Sequence, residues 1–292
     1  MAANERVGSR PAEQGGQREA GELPGGADPF TAWQRMRERD GPKVTLIRLY
    51  ALVAEPRGLQ AHELPLAERS ELAARATPLL WPGFERSARS QRREPEPIEV
   101  ADYDQGWPAR FEAWRGRLAA LLGPVARRIE HVGSTSVPGL PAKPVVDIQL
   151  SVADLGDERA YVSSCEAAGL QLRFRDDRHR YFQPPPGQSR EVHVHVCRHG
   201  GDWERVHLLF RDYLRFSAGA REAYAGAKHE AASVWANDRM AYTEAKSSVI
   251  LTILDRAEHW ARGTGWEIGP GTGRARAATK RPKRDIGPQE RR

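Results

Sequence analysis

Apolar residues along this chain recur at two spacings, one typical of helices and one typical of strands. Residues 44–53 are apolar enough for a buried helix, and residues 66–76 follow Pro65, a residue well placed at a helix start. Farther along, apolar residues fall on one helical face and are followed by Gly123 and Pro124, which predicts an amphipathic helix with a defined end. That face carries Trp107, Phe111, Trp114, Leu118, Leu121 and Leu122.

Strand-like patterns occupy the middle of the chain. A short strand is expected over residues 128–132, and the β-branched content of residues 144–152 suits a central strand. A helix over 155–168 should lead to a strand over 170–174. Residues 191–197 alternate strictly, with the valines at 192, 194 and 196 on one face of the strand. The other face carries Glu191, His193, His195 and Cys197.

The last part of the chain before the tail is helical in pattern. Three helices are expected, with apolar faces between residues 203 and 214, between 220 and 235, and between 242 and 260. A mixed sheet followed by helices predicts an α+β fold with a C-terminal helical part.

Composition divides the chain into five segments. Residues 1–27 contain almost no large apolar side chains, so disorder is expected there. Residues 28–85 form a small helical appendage of unknown role, and the polar, proline-containing stretch 86–97 is a linker. The main domain spans 98–262, and 263–292 is a basic tail that is expected to be disordered.

The net charge of +6 is located in that tail. Residues 262–292 contain nine basic and three acidic residues, so the rest of the chain is neutral. A solvated tail is the favoured interpretation, and weak, salt-dependent binding of nucleic acid is the alternative. No run approaches the roughly 18 apolar residues of a membrane span, which predicts a cytoplasmic protein without a membrane partner.

Candidate chemistry begins at the Gly-Ser turn after the strand over 128–132. Gly133 lets the backbone approach a phosphate and Ser134 offers a hydroxyl. Asp147 and Gln149 share one face of the next strand, where Asp147 offers an oxygen ligand to a metal, and Lys143 offsets phosphate charge. A tight loop in which Asp147 caps or pairs elsewhere explains the same residues, so the turn alone does not decide.

A longer stretch of sequence carries a resemblance to a known family. The run 130–140, EHVGSTSVPGL, the run 142–148, AKPVVDI, and the run 207–215, HLLFRDYLR, are followed by Tyr224 and Lys228. Together with the opening IEVADYD at 98–104 and Trp107, they closely resemble the GrpB family from about residue 98 to residue 260. The resemblance implies a nucleotidyltransferase-like mixed β-sheet with flanking helices. Such domains also occur fused to dephospho-CoA kinase, although no kinase phosphate-binding loop is present in this sequence.

The same resemblance implies roles for individual residues. In the nucleotidyltransferase superfamily a Gly-Ser turn binds phosphate, here residues 133–136 with Thr135 and Ser136, and carboxylates hold two Mg²⁺ ions. Asp147 matches the first carboxylate, but Gln149 stands where the second is expected. His193 or His195 occupies the strand that would carry the third. A divalent metal, Mg²⁺ or Mn²⁺ ahead of Zn²⁺, is therefore expected on Asp147, His193 and His195, whereas polar residues on a half-exposed sheet face are the alternative.

The remaining candidates have two interpretations each. His131 is either a phosphate contact or a strand residue with a satisfied ring, and Glu191 either lines the cleft or hydrogen-bonds to the histidines. Basic residues on the C-terminal helices either line the phosphate end of the cleft or form a solvated face. These are Arg211, Lys228 and Lys246.

Two hypotheses of function follow. The first is a metal-dependent nucleotidyltransferase with Asp147 as its catalytic carboxylate and a nucleotide bound by Ser134 and Lys143. The alternative is a non-catalytic module, binding a nucleotide or a CoA-related ligand, whose carboxylate set is degenerate at Gln149. Both predict a small phosphorylated ligand as the partner.

Overall fold

A six-stranded mixed β-sheet organises the residues that the computed structural model describes, 28–90 and 96–269. In spatial order the strands are β1-β4-β5-β6-β3-β2, and only β3 and β6 run parallel. Their bounds are Glu85–Arg86 (β1), Arg128–Val132 (β2), Val146–Val152 (β3), Gln171–Arg175 (β4), His179–Gln183 (β5) and Val192–Arg198 (β6).

Helices cover both faces of this sheet and form the two ends of the described chain. Their bounds are Pro29–Asp40 (α1), Leu46–Ala54 (α2), Leu66–Leu80 (α3), Trp107–Leu122 (α4), Val162–Ala167 (α5), Asp202–Phe216 (α6), Ala218–Trp235 (α7), Arg239–Ala245 (α8) and Ser247–Thr264 (α9). None of them combines the length and the apolar character that a bilayer crossing requires within the described residues.

The two faces of β3 and β6 have opposite chemistry. Val146, Ile148 and Leu150 point into the main core, where they meet the valines of β6 and the apolar side of α4. The alternate residues of both strands point to the opposite face, which α6 partly covers. The strict alternation in β6 is therefore confirmed, and it separates an apolar core face from a polar face on which the site lies.

The predicted α+β class is confirmed, including the mixed sheet with flanking helices and a C-terminal helical part. Strand β5 was not predicted, because its sequence HRYFQ lacks an apolar and polar alternation. The last predicted helix is two helices, α8 and α9, which meet at Lys246. The predicted helix over 155–168 is reduced to a short turn at Glu158–Ala160 and α5.

The N-terminal helices do not stand apart from the main domain. Trp33, Leu49 and Tyr50 of α1 and α2 share one core with Trp235 of α7 and Tyr242 of α8. The predicted end of the appendage falls inside the sheet, because Glu85 in β1 pairs with Arg175 in β4. The disorder expected over 1–27, and over 270–292 of the tail, lies outside the described residues, whereas α9 continues to Thr264.

A buried ion pair fastens α3 to the start of α8. Arg69 Nη1 lies 3.2 Å from Asp238 Oδ2, and the two side chains are 11% and 9% exposed. Asp238 also accepts the Ala241 amide as the N-cap of α8. We expect Arg69→Met to lower the free energy of unfolding by about 3 kcal/mol, because it leaves Asp238 buried without its cation.

Urea denaturation followed by tryptophan fluorescence measures this change. Arg48→Met is the matched control, since Arg48 pairs with Glu55 at 2.9 Å on the surface, where such a pair contributes less than about 1 kcal/mol. Equal losses for the two variants would contradict a role for the buried pair in joining the N-terminal helices to α8.

Candidate functional site

The Gly-Ser turn lies directly against Asp147. Gly133 has φ +67° and ψ −172°, a conformation open almost only to glycine. A Cβ atom at Gly133 would come within 2.3 Å of Asp147 Oδ2. The backbone after β2 can therefore approach the Asp147 carboxylate only because residue 133 has no side chain.

Hydrogen bonds within the turn use most of its hydroxyl groups. Ser136 Oγ donates to the Gly133 carbonyl at 2.6 Å, and Thr135 Oγ1 donates to the Val145 carbonyl at 3.2 Å. Both side chains are buried, whereas Ser134 is partly exposed. Of the three hydroxyls predicted to meet phosphate, the Ser134 hydroxyl is thus the one that remains accessible to a ligand.

Two arginines of α6 hold this turn through its carbonyl groups. Arg215 donates to the Ser136 carbonyl from Nε at 3.0 Å and from Nη2 at 2.7 Å. Arg211 Nη1 donates to the His131 carbonyl at 3.0 Å and pairs with Glu130 at 2.8 Å. Arg211 is buried, so the structure places it behind the turn and not in the cleft. Arg215, which the sequence did not single out, has the same supporting position.

The parallel pairing of β3 with β6 brings three predicted metal ligands together. Asp147 is in register with His193, and His195 is next on the same face. His193 Nδ1 lies 3.1 Å from Asp147 Oδ1, and His195 Nε2 lies 3.7 Å from the same oxygen. Burial opposes ionisation of Asp147, but the hydrogen bonds of the two histidines outweigh it and hold the pKa of Asp147 well below its usual range. Burial lowers the pKa of His193 to about 4, so its ring is neutral at pH 7.

Arg190 determines which nitrogen of His193 carries the proton. Arg190 Nε donates to His193 Nε2 at 3.2 Å, so the hydrogen on the neutral ring is on Nδ1 and points at Asp147. A metal ion bound to Nδ1 requires the other tautomer. Metal binding would therefore require Arg190 to leave the His193 ring.

Aromatic and imidazole rings of β5 and α6 enclose His195. Tyr181 and Trp203 lie 5.1 Å and 5.5 Å from its ring, and Trp203 stacks on His207 at 3.6 Å. His207 Nδ1 donates to the Trp203 carbonyl, which leaves Nε2 as an acceptor, and burial lowers the pKa of His207 to about 4. The sequence analysis gave His207 no individual role and included it only in the motif over 207–215. Its role in covering the site depends on the packing of α6.

Three further predicted cleft residues are not among the clustered metal ligands, although Gln149 is in register with His195. His131 points to the other face of the sheet, where its ring stacks on Phe111 at 4.8 Å and contacts Thr135. Gln149 is fully buried, and neither atom of its amide has a partner among the described residues. Glu191 is exposed and precedes β6. Asp147 is consequently the one carboxylate among the three clustered ligands.

The predicted phosphate-binding lysines come together beside this cluster. Lys143 and Lys246 both lie over the Tyr242 ring, and Lys228 lies over the Tyr224 ring. Tyr224 in turn lies beside Ser134 of the turn, and burial raises the pKa of its hydroxyl to about 12. The lysines, the turn and the three metal ligands therefore line one continuous region.

Comparison with known proteins identifies the family of this chain. The model of the family described as GrpB protein matches residues 97–256, more than half of the 292 residues. The chain belongs to the GrpB family. A UPF0157 protein of Streptomyces coelicolor is 43% identical over 165 residues, which cover 56% of this chain and 87% of the relative.

Other GrpB-like proteins extend the comparison. A crystal structure of GrpB from Enterococcus faecalis superimposes with a TM-score of 0.50 at 27% identity, covering 56% of this chain and 99% of that one. A dephospho-CoA kinase of Mycobacterium leprae is 29% identical over 203 residues, which are 59% of this chain and 49% of the kinase. The family match begins after the N-terminal helices, so α1 to α3 lie outside the shared GrpB region.

Proposed function

We propose that this GrpB-family protein binds a small phosphorylated ligand, a nucleotide or a CoA-related compound, together with one divalent metal ion. The observation that carries the proposal is the cluster of Asp147, His193 and His195, whose ligand atoms all lie within 4.8 Å of one another. This cluster stands beside a glycine turn that packs directly on Asp147 and carries the partly exposed Ser134, and beside three lysines. A metal, a phosphate and cationic side chains form a common unit in phosphate-binding sites.

The donor set fits a metal ion with modest adjustment. Ligand atoms around a four-coordinate Zn²⁺ are about 3.4 Å apart, which follows from bonds of about 2.0 Å. The two distances from Asp147 Oδ1, 3.1 Å and 3.7 Å, are already close to this value. Two imidazoles and one carboxylate suit Mn²⁺ or Zn²⁺ better than Mg²⁺.

Each protein group has a distinct task in this proposal. The metal, when bound, would polarise a phosphoryl oxygen. Ser134 donates a hydrogen bond to the phosphate, and Lys143 contributes positive charge beside it. Arg190, once released from His193, has a guanidinium that matches phosphate geometry, so metal binding and phosphate binding should favour each other.

Binding is better supported than nucleotidyl transfer. A two-metal transfer site needs several carboxylates, and Gln149 is neutral and fully buried at the position of the second one. A single metal on one carboxylate and two imidazoles still allows transfer to an acceptor hydroxyl or phosphate. Transfer therefore remains the second candidate, and release of pyrophosphate separates it from binding alone.

Thermal-shift and calorimetric titrations test the proposal. The full chain is titrated with Mn²⁺, Zn²⁺ and Mg²⁺, each alone and with ATP or dephospho-CoA. We expect Mn²⁺ or Zn²⁺ to raise the melting temperature, and a phosphorylated ligand to raise it further.

Matched variants make this result specific. His195→Gln should weaken metal binding at least about ten-fold, whereas His259→Gln, which changes a histidine with a 68% exposed side chain, should not. Asp147→Asn should abolish metal binding. If no metal or ligand changes the melting temperature, the proposal is wrong. If ligands bind but no pyrophosphate is released from ATP with any acceptor hydroxyl or phosphate, the transfer candidate is wrong.

A further inference from the structure

Lysine is rare in this chain, and its placement is selective. The sequence holds 45 lysines and arginines, of which six are lysines. Of the four lysines in the described ranges, three meet in one cluster: the half-buried Lys143 before β3 and the buried Lys228 in α7 and Lys246 after α8. The chain uses arginine at almost every other basic position, so lysine at these three positions indicates a function that depends on a chemical property of lysine that arginine lacks.

The cluster is built on two tyrosine rings. Lys246 Nζ lies 3.3 Å from the centroid of the Tyr242 ring, and Lys143 Nζ lies 4.8 Å from the same centroid. Lys228 Nζ lies 4.8 Å from the Tyr224 ring and donates to the Pro141 carbonyl. Lys228 and Lys246 are 2% and 6% exposed, so the positive charges are held close together and away from water.

Within the described residues, no carboxylate neutralises these charges. None lies within ion-pair distance, 4.0 Å, of the three amines, and Lys246 Nζ donates to the Tyr242 carbonyl at 2.9 Å. The carboxylate whose negative charge favours the charged form of Lys246 is Glu244, and this carboxylate accepts a hydrogen bond from the Leu46 amide at 3.3 Å. The charges that face Lys143 are Asp147, Arg190 and Arg239. The basic groups around the cluster therefore outnumber the acidic ones.

Without an anion, the cluster cannot hold three charges at neutral pH. Burial lowers the pKa of Lys228 to about 7, and burial with the charges of Lys143 and Lys228 lowers that of Lys246 to about 6. Burial and the charge of Arg239 lower the pKa of Lys143 to about 8. Arginine would stay charged at every relevant pH, whereas a lysine amine can lose its proton when no anion is bound and regain it when one binds.

We propose that Lys143, Lys228 and Lys246 form a polyphosphate-binding site that takes up protons when the ligand binds. The inference rests on the proposed function for the orientation of the ligand: the phosphate chain would extend from the metal site at Asp147 toward Lys143, which lies four residues earlier in the sequence. It does not depend on the metal for its charge. Three adjacent ammonium groups match a diphosphate or triphosphate chain better than a single phosphate, whose charge is about −1.5 to −2 at pH 7.

Calorimetry with inorganic anions tests the inference on the full chain without added metal. Tripolyphosphate and orthophosphate are titrated at pH 7.5 in two buffers of different ionisation enthalpy, so that the buffer dependence of the heat counts the protons taken up. We expect tripolyphosphate to bind at least about ten-fold more tightly than orthophosphate, with uptake of about two protons, because the three amines together carry about one positive charge at pH 7.5 before the anion binds. Because protons are taken up, the affinity should fall as the pH rises from 7 to 8.5.

Three variants separate the explanations. Lys246→Met should weaken tripolyphosphate binding about ten-fold and reduce the proton uptake, whereas Lys43→Met, which changes an exposed lysine, should alter neither. Asp147→Asn should abolish metal binding and leave the proton-linked binding of tripolyphosphate, so failure of the metal proposal is distinguishable from failure of this one.

The unmodified chain alone can overturn the inference, so it does not depend on the variants folding. Equal affinity for tripolyphosphate and orthophosphate would remove the polyphosphate assignment. Heat that is independent of the buffer would show that no proton is taken up, and the titrating lysine cluster would then be wrong.

Discussion

Gly133→Ala should lower the free energy of unfolding by about 3 kcal/mol and abolish metal binding. The backbone at Gly133 has φ +67°, which an alanine adopts only at a cost of about 1 to 3 kcal/mol. The new Cβ would also come within 2.3 Å of Asp147 Oδ2, so the carboxylate has to move from its position beside His193. Urea denaturation measures the first effect, and calorimetric titration with Mn²⁺ measures the second.

Gly139→Ala is the control for this prediction. Gly139 lies in the same loop and also has positive φ, +77°, but a Cβ atom at this position would meet no other group within 4 Å, Asp147 included. We expect it to show the backbone cost without the loss of metal affinity. Retention of full Mn²⁺ affinity by Gly133→Ala would show that the Asp147 carboxylate is not a ligand in the position described.

The fold was predictable where the local pattern carries the information. The valines of β6 and the β-branched residues of β3 alternate or cluster as strands do, so both strands follow from the sequence alone. Strand β5, HRYFQ, is polar at three of its five positions. Its pairing with β4 and β6 determines it as a strand, and such long-range pairing leaves no local pattern.

The sequence predicted which residues form the site, but it did not predict how these residues converge or how deeply they are buried. Asp147, His193 and His195 could be named from strand alternation, but their convergence depends on the parallel register of β3 and β6. For Lys228 and Lys246 the sequence left two interpretations open, the phosphate end of the cleft or a solvated helix face, because it does not show that both side chains are buried. Arg211 had the same two interpretations, and in the structure Glu130 and Asp212 hold it in the interior.

Besides the Glu130–Arg211 pair, a second buried carboxylate, Glu204, holds the polar face of the sheet against α6. Its side chain is fully buried and accepts hydrogen bonds from Ser151 Oγ at 2.7 Å and from the Gly200 amide at 2.5 Å. Arg128 Nε of β2 lies 3.0 Å from the same carboxylate. Glu204 thereby joins β2, β3 and the start of α6, the helix that places Trp203 and His207 over His195.

Glu204→Leu should therefore be the most destabilising single change in the main domain, with a loss of about 5 kcal/mol in the free energy of unfolding. It removes the nearer carboxylate of the Arg128 guanidinium, whose side chain is 10% exposed and which keeps Glu130 at 3.6 Å, and it leaves two donors without their acceptor. Urea denaturation measures the loss. Glu258→Leu is the control, because the pair of Glu258 with Arg205 is only half-buried, with side chains 35% and 40% exposed, and contributes about 1 kcal/mol or less. Similar losses for both variants would mean that α6 is held by its apolar contacts, and the Glu204 network would then have no special role in covering the site.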